Sequence, residues 1–119
     1  MPHMIVEYTQ NLTGLNEAQL MTELNAVVCG NPTVADEADL KTRIYALQQY
    51  CIGTNSTNRG FVHVQLRLLA GRTPEVKKEL SDAIGAVLRQ HVPQPAGLMV
   101  QLSVEIADMD RGSYYKDRL

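Results

Sequence analysis

Hydrophobic and polar residues alternate along three stretches of the chain, residues 2–8, 61–69 and 100–106. A period of two residues places the apolar side chains of a stretch on one face, as in a half-buried β-strand. A fourth stretch, residues 41–52, is rich in β-branched and aromatic residues and also predicts a strand. The pattern therefore predicts four strands, three of which have one apolar face.

Helical spacing separates the strands within each half of the chain. Residues 17–29 repeat apolar side chains every three or four positions, and Gly30 and Pro32 then favour a helix end. In the second half, Thr73 is suited to cap a helix that has Pro74 in its first position. That helix carries one apolar stripe, formed by Val76, Leu80, Ala83, Ile84, Val87 and Leu88. The sequence pattern thus predicts two successive β-α-β units.

The polar run at residues 53–60 has the composition of a loop and divides the chain into halves of about 1–58 and 59–119. We expect a single α+β domain, with a four-stranded sheet and two helices that cover its apolar face. The other face carries polar residues such as His63 and Gln65, and it is either solvated or used in assembly. Because each β-α-β unit buries little core by itself, we favour a ring of subunits.

Composition argues against several classes of protein. The apolar fraction is 45%, and no apolar run approaches the roughly 18 residues of a membrane span. With no signal-peptide pattern, we expect a cytoplasmic location. A net charge of -2 with scattered lysines and arginines argues against a nucleic-acid partner. Cys29 and Cys51 lack metal or redox spacing, and we interpret both as reduced packing residues.

Pro2 is the first candidate for chemistry, because removal of Met1 before a small residue exposes a secondary amine. Such an amine is an effective base when an apolar pocket and nearby cations lower its pKa towards the working pH. The alternative is that Pro2 only begins a strand, a position where its missing N–H costs nothing.

Candidate anion-binding residues lie in two further segments. Arg72 directly precedes a helix cap, whose free amides and positive dipole end favour a carboxylate; alternatively, it is a solvated loop arginine. Lys41, Arg43 and Tyr45 alternate along one predicted strand and so project from one face of it. They suit anion binding, or they protect an exposed edge strand. The histidines lack metal-ligand spacing and no phosphate loop or flavin signature is present, so we predict no metal and no cofactor.

Three short segments carry a further signal: Pro2-His3-Met4-Ile5-Val6-Glu7, Phe61-Val62-His63-Val64 followed by Ala70-Gly71-Arg72, and Leu102-Ser103-Val104-Glu105-Ile106. At these distances along the chain, they resemble the 5-carboxymethyl-2-hydroxymuconate isomerase family of the tautomerase superfamily. Residues 63–92 are also similar to a β-α unit of 4-oxalocrotonate tautomerase. The resemblance spans nearly the whole chain and is weakest in residues 12–39 and 53–60.

The resemblance implies a tautomerase fold in a homotrimer whose sheets face inward. It implies that Pro2 is the base that moves a proton of a 2-hydroxymuconate-type dienol to carbon, giving the conjugated 2-oxo isomer. Arg72 would be the second catalytic residue, which binds a substrate carboxylate and stabilises the dienolate. The implied substrate is a small di- or tricarboxylate, such as 5-carboxymethyl-2-hydroxymuconate.

The other residues implied in substrate binding fit the family pattern less closely. Lys41 stands where the family has an arginine, and Arg43 matches an arginine two positions further along the strand. A lysine holds a carboxylate as a point charge but does not form the planar fork of arginine. Phe61 or Tyr45 is expected to form an apolar wall beside the amine. The tail at residues 114–116 resembles the family's ending and is expected to reach a neighbouring subunit.

Two alternative functions stay open on the sequence. Related enzymes use the same proline in hydrating dehalogenation or decarboxylation. However, relatives that resemble cis-3-chloroacrylic acid dehalogenase have a second arginine soon after the position of Arg72, where Thr73, Pro74 and Glu75 follow here. The other alternative is a trimeric binding protein without catalysis, because a fold does not dictate one function.

Overall fold

A computed structural model describes residues 1–55 and 57–119, so residue 56 of the predicted loop 53–60 lies outside the described residues. The elements follow the order β1 (His3–Thr9), α1 (Glu17–Cys29), β2 (Lys41–Leu47), β3 (Arg59–Leu69), α2 (Pro74–His91) and β4 (Met99–Met109). A short 3₁₀ turn, Glu37–Asp39, precedes β2. The predicted duplication of a β-α-β unit is confirmed.

The four strands form one sheet in the order β2-β1-β3-β4. Strands β1 and β2 are parallel, β3 and β4 are parallel, and the two pairs meet through antiparallel β1 and β3. In this register His3 lies opposite Lys41 on one side and opposite Arg67 on the other. The first residues of β1 and β2 therefore meet the last residues of β3 and β4 at one end of the sheet, which we call the Pro2 end.

One face of the sheet is buried beneath both helices. Helix α1 packs against β2, α2 packs against β4, and the two helices contact each other. The largest fully buried side chains come from this layer and include Met4, Leu20, Leu24, Leu66, Leu80, Ile84 and Leu88. Full burial of such a side chain is worth about 1.5–3 kcal/mol, so this interface is the main source of the stability of the fold.

Side-chain caps set the start of each helix. The side chain of Asn16 accepts a hydrogen bond of 3.0 Å from the backbone N–H of Gln19, and α1 begins at the next residue after Asn16. Thr73 accepts one of 3.2 Å from the backbone N–H of Val76, and Pro74 follows as the first residue of α2, as predicted. The cap of α2 also fixes the turn that leads from β3 towards the helix.

The opposite face of the sheet is polar, as predicted, and its side chains bond to one another across strands. His63 lies 2.7 Å from the hydroxyl of Ser103 and 3.1 Å from the carboxylate of Glu105. Gln65 donates a further hydrogen bond of 3.0 Å to Glu105. These residues are half-buried or exposed, since both helices lie on the other side of the sheet.

The strand ends differ from the prediction in a regular way. Strand β2 ends at Leu47 and not at residue 52, because its neighbour β1 ends at Thr9, the residue paired with Leu47. Strands β3 and β4 pair over their whole lengths and are longer than predicted.

Cys51, which follows β2, is exposed, so the packing interpretation holds for Cys29 alone. None of the described helices is long and apolar enough to cross a membrane.

Candidate active site

The Pro2 end of the sheet brings together segments that are far apart in sequence. Pro2 is buried where β1 begins, and its carbonyl accepts a hydrogen bond of 3.2 Å from the backbone N–H of Lys41. Lys41, one of the predicted substrate-binding residues, is therefore a direct neighbour of Pro2. The loop between α1 and β2, the turn before α2 and the C-terminal tail all lie at this end.

Arg72 is held rigidly in the turn between β3 and α2. Gly71 adopts a φ of 131° there, a conformation that favours glycine. Two nitrogens of the guanidinium, Nε and Nη2, donate to the side-chain and backbone oxygens of Thr33 at 3.0 and 3.1 Å, and Nη1 donates to the carbonyl of Leu69 at 2.9 Å. A guanidinium has five N–H donors, so donors are left for an anion. Arg72 is thus a half-buried, oriented cation and not a solvated loop residue.

The amino terminus lies in a positive environment. Burial lowers the pKa of the Met1 amino group below its usual value. The carboxylate of Asp39 acts in the opposite direction, while the positive charges of Lys116, Arg72 and Lys41 lower this pKa further. This environment shifts the protonation equilibrium of an amine at the Met1 position towards the unprotonated, basic form.

Arg43 is linked to the start of β1 through a histidine. Its Nη1 donates to Nδ1 of His3 at 2.9 Å, and Nε2 of His3 lies 2.8 Å from the hydroxyl oxygen of Tyr114. Burial lowers the pKa of His3, and the charges of Lys41 and Arg43 act in the same direction. The imidazole is therefore neutral near pH 7. Arg43 thus reaches the Pro2 end of the sheet as part of a hydrogen-bonded chain of three side chains.

Several cavities open at this end, and two of them have Lys41 or Arg43 in their lining. The first has a volume of about 490 Å³ and is lined by Met1, Asp39, Lys41, Tyr114 and Lys116, among others. The second has a volume of about 350 Å³ and is lined by His3, Arg43, Arg67 and Tyr114, among others. Both volumes fall in the range of small-molecule sites. The chain therefore offers room for a small anion directly beside its amino terminus.

The C-terminal tail closes one side of the first cavity. Arg118 lies 2.8 Å from carboxylate oxygens of both Asp36 and Asp39, in the segment just before β2. These pairs hold the tail across the amino terminus of its own chain and bring Lys116 close enough to act on the amino group. Within this chain, residues 114–116 line the cavity beside Met1. That they also reach a neighbouring subunit, as the sequence resemblance implies, stays a prediction.

Tyr45 and Phe61 lie away from Pro2 within one subunit. Tyr45 is 53% exposed and pairs with Glu7, five residues along β1 from Pro2. The backbone N–H of Phe61 donates to the side chain of Thr9 at the far end of β1, about 23 Å from Pro2 at roughly 3.3 Å per residue. The structure thus groups Pro2, Lys41, Arg43 and Arg72 but not the two aromatic residues.

Sequence reasoning did not assign several residues of this end to the site: His3, Thr33, Asp39, Tyr114 and Lys116. The position of His3 beside Lys41 follows from a parallel register of β1 and β2, which the sequence pattern could have indicated. The contacts of Thr33, Asp39 and the tail depend on the loop paths alone. In residues 1–55 and 57–119, no group of three or more His, Cys, Asp or Glu side chains is placed to hold a metal ion.

Comparison with solved structures first identifies the class of fold. A fused 4-OT wild type symmetric trimer is 20% identical, with a TM-score of 0.70 over 92% of this chain and 87% of that chain. A 5-carboxymethyl-2-hydroxymuconate delta-isomerase is 19% identical, with a TM-score of 0.82 over 100% of this chain and 88% of that chain. These likenesses show that the chain has the tautomerase-superfamily fold.

The family follows from closer matches. Residues 2–118 match the family described as 5-carboxymethyl-2-hydroxymuconate isomerase. A 5-carboxymethyl-2-hydroxymuconate isomerase from Deinococcus radiodurans R1 is 33% identical, with a TM-score of 0.90 over 99% of this chain and 90% of that chain. A search of proteins of curated function finds no match. The chain belongs to the 5-carboxymethyl-2-hydroxymuconate isomerase family, a group of isomerases within the tautomerase superfamily.

Proposed function

We propose that this chain converts a 2-hydroxymuconate-type dienol, such as 5-carboxymethyl-2-hydroxymuconate, into its conjugated 2-oxo isomer. The proposal rests on one observation above all: in a chain of this isomerase family, the amino terminus lies partly buried among cations. Once Met1 is removed, the secondary amine of Pro2 would become the amino terminus and act as the base. The reaction only moves a proton and shifts double bonds, so it needs no cofactor.

In the proposed mechanism a single amine acts first as base and then as acid. The unprotonated Pro2 nitrogen takes the proton of the 2-hydroxyl group, and the O–H electron pair becomes part of a dienolate. The ammonium form of Pro2 then returns the proton to a carbon of the diene, which leaves a 2-oxo group conjugated with the remaining double bond. One proton is taken and one is returned, so the amine is regenerated unprotonated.

The cations of the site would hold the carboxylates of the substrate and balance the charge of the dienolate. Arg72 keeps N–H donors beyond those that bind Thr33 and Leu69, and its orientation is fixed before a ligand arrives. Lys41 donates from its ammonium group to the carbonyl of Asp39 and has further donors for a carboxylate. Arg43 would contribute its charge and the N–H donors of its guanidinium that are not bonded to His3.

The proposed enzyme is a homotrimer in which the polar sheet faces lie inward. The support comes from the half-buried polar face, which both helices leave uncovered, and from the small core of one subunit. Tyr45 and Phe61 would then approach an amine only from a neighbouring subunit, because within one chain they lie far from Pro2. We propose that Tyr45 and Phe61 form the apolar wall beside the Pro2 amine of a neighbouring subunit.

The charge of Asp39 gives a prediction for the pH dependence. The Asp39 carboxylate raises the pKa of the Met1 amine. After loss of Met1 the new terminal amine is the Pro2 nitrogen, which lies one residue further along the chain beside Lys41, so Asp39→Asn should lower its pKa as well. A base acts in its unprotonated form, so the rise of kcat/KM with pH should move to lower pH. Asp36→Asn is the matched control, because Asp36 also binds Arg118 at 2.8 Å but is not among the charges that act on the amine. An unchanged profile for Asp39→Asn, or an equal shift for Asp36→Asn, would contradict the assignment.

The proposed activity is tested by an ultraviolet assay of dienol loss and enone formation. Purified protein without Met1 is mixed with 2-hydroxymuconate and with 5-carboxymethyl-2-hydroxymuconate, and the rates are compared with the spontaneous reaction. We expect a rate enhancement with at least one of the two compounds. Processed protein that accelerates neither would overturn the proposal.

A further inference from the structure

Two hydrogen bonds link the side chains of Arg43, His3 and Tyr114. The donor and the acceptor in each bond follow from the chemistry of the guanidinium group. A guanidinium only donates hydrogen bonds, so Nδ1 of His3, at 2.9 Å from Arg43, is the accepting nitrogen without a proton. In the neutral imidazole the proton then resides on Nε2, which lies 2.8 Å from the Tyr114 oxygen. His3 therefore donates to Tyr114, and the Tyr114 oxygen is an acceptor in this contact.

This direction leaves the hydroxyl proton of Tyr114 unused. A phenol that accepts one hydrogen bond keeps its own O–H for another acceptor. Within the part of the chain that the structure describes, Tyr114 has no second hydrogen-bond partner. Its ring is half-buried and packs edge-on against His3, with ring centroids 6.2 Å apart. The hydroxyl is thus a positioned donor and not a freely rotating surface group.

The position of Tyr114 places this donor at the candidate active site. Tyr114 lines both the cavity that contains Lys41 and the cavity that contains Arg43, and it shares the larger of these two with Met1 and Lys41. Arg43, by contrast, lines the smaller of the two cavities and not the larger one. An anion in the larger cavity would meet the ammonium group of Lys41 and the hydroxyl of Tyr114 before it met the guanidinium of Arg43.

We infer that the Tyr114 hydroxyl donates a hydrogen bond to a substrate carboxylate that Lys41 also contacts, and that His3 is the positioning residue that orients this hydroxyl. The inference rests on the proposed function and adds a substrate-binding residue to it. Arg43 acts in this arrangement at a distance, because its bond to Nδ1 selects the His3 tautomer that donates to Tyr114.

The first test compares Tyr114→Phe with the wild-type chain in steady-state kinetics on 2-hydroxymuconate. Loss of a hydrogen bond to a charged group weakens binding by about tenfold, so KM should rise about tenfold while kcat stays within about twofold. Tyr50 follows β2 at the end of the sheet opposite the Pro2 end. Tyr50→Phe also removes a phenol hydroxyl and should leave KM and kcat unchanged. An unchanged KM for Tyr114→Phe, in protein with an unchanged unfolding midpoint, overturns the inference.

A second test addresses the role of His3. The amide nitrogen of glutamine lies near the position of Nε2 of histidine, whereas asparagine is too short to reach it. His3→Gln should therefore keep KM near the wild-type value, and His3→Asn should raise it as much as Tyr114→Phe does. In the double variant His3→Asn with Tyr114→Phe the effects should not add, because both remove the same contact. Additive effects would show that His3 does not act through Tyr114.

Failure of the proposed function is separable from failure of this inference. If the wild-type chain turns over neither 2-hydroxymuconate nor 5-carboxymethyl-2-hydroxymuconate, the proposed reaction fails, but binding is still measurable by calorimetry with adipate, an unreactive dicarboxylate. Weaker adipate binding by Tyr114→Phe and not by Tyr50→Phe would support the donor role of Tyr114. Equal adipate binding by both variants would overturn it.

Discussion

Replacing Pro2 by alanine is expected to lower kcat/KM about a hundredfold, at the lower end of the range for loss of a positioned base. Alanine leaves a primary amine at the same place, so some proton transfer survives. However, this amine rotates freely about its Cα–N bond, whereas the proline ring fixes the direction of the lone pair. Steady-state kinetics on the dienol, with intact-mass confirmation that Met1 is absent, measures the effect.

A proline elsewhere in the chain supplies the control for this experiment. Pro95 lies between α2 and β4, at the end of the molecule opposite the Pro2 end. Pro95→Ala should leave kcat/KM within about twofold, because surface changes away from a site have small effects. If Pro2→Ala retained kcat/KM within about threefold, the fixed secondary amine of proline would not be the main source of base catalysis.

Replacing Arg72 by alanine is also expected to lower kcat/KM about a hundredfold, because the variant removes an oriented donor from the developing dienolate. Both constants should change: KM rises as a carboxylate contact is lost, and kcat falls as the negative charge of the dienolate is less stabilised. Arg72→Lys should recover only part of the loss, since an ammonium group does not reproduce the bonds to Thr33 and Leu69 together with an anion contact.

The structural part of the Arg72 effect is separable from its catalytic part. Thr33→Val removes the hydroxyl that accepts from Nε of Arg72 at 3.0 Å but leaves the guanidinium charge in place. This variant should lower thermal stability slightly and lower kcat/KM by less than about tenfold. If Thr33→Val reproduced the full loss seen for Arg72→Ala, Arg72 would act only by holding the loop and not by binding the substrate.

The fold was largely predictable because its local signals agree with its packing. The period of two residues in β1 matches a strand with one buried face, and helix α1 has the predicted bounds, Glu17–Cys29. Thr73 and Pro74 marked the start of α2 by the chemistry of a cap. The end of β2 at Leu47 was not predictable, because it depends on where the neighbouring strand β1 stops.

The candidate site was predictable only in part. Pro2, Arg72 and the alternation of Lys41 with Arg43 gave signals that lie within short segments. The contacts of the tail, such as Arg118 with Asp39 and Tyr114 with His3, join residues about 80 to 110 positions apart and have no local pattern. A sequence pattern indicates which side chains suit a chemistry, but the paths of loops and tails decide which of them meet.

The central claim, that a free Pro2 amine is the base, is tested most directly by separating chains with and without Met1. With Met1 retained, the Pro2 nitrogen is part of an amide and has no basic lone pair. Intact-mass analysis gives the processed fraction of each preparation, and an ultraviolet assay of 2-hydroxymuconate ketonisation on the same sample gives its activity. We predict that activity is proportional to the fraction lacking Met1 and appears when an aminopeptidase removes Met1 from an inactive sample. Full activity in chains that all retain Met1 would contradict the account.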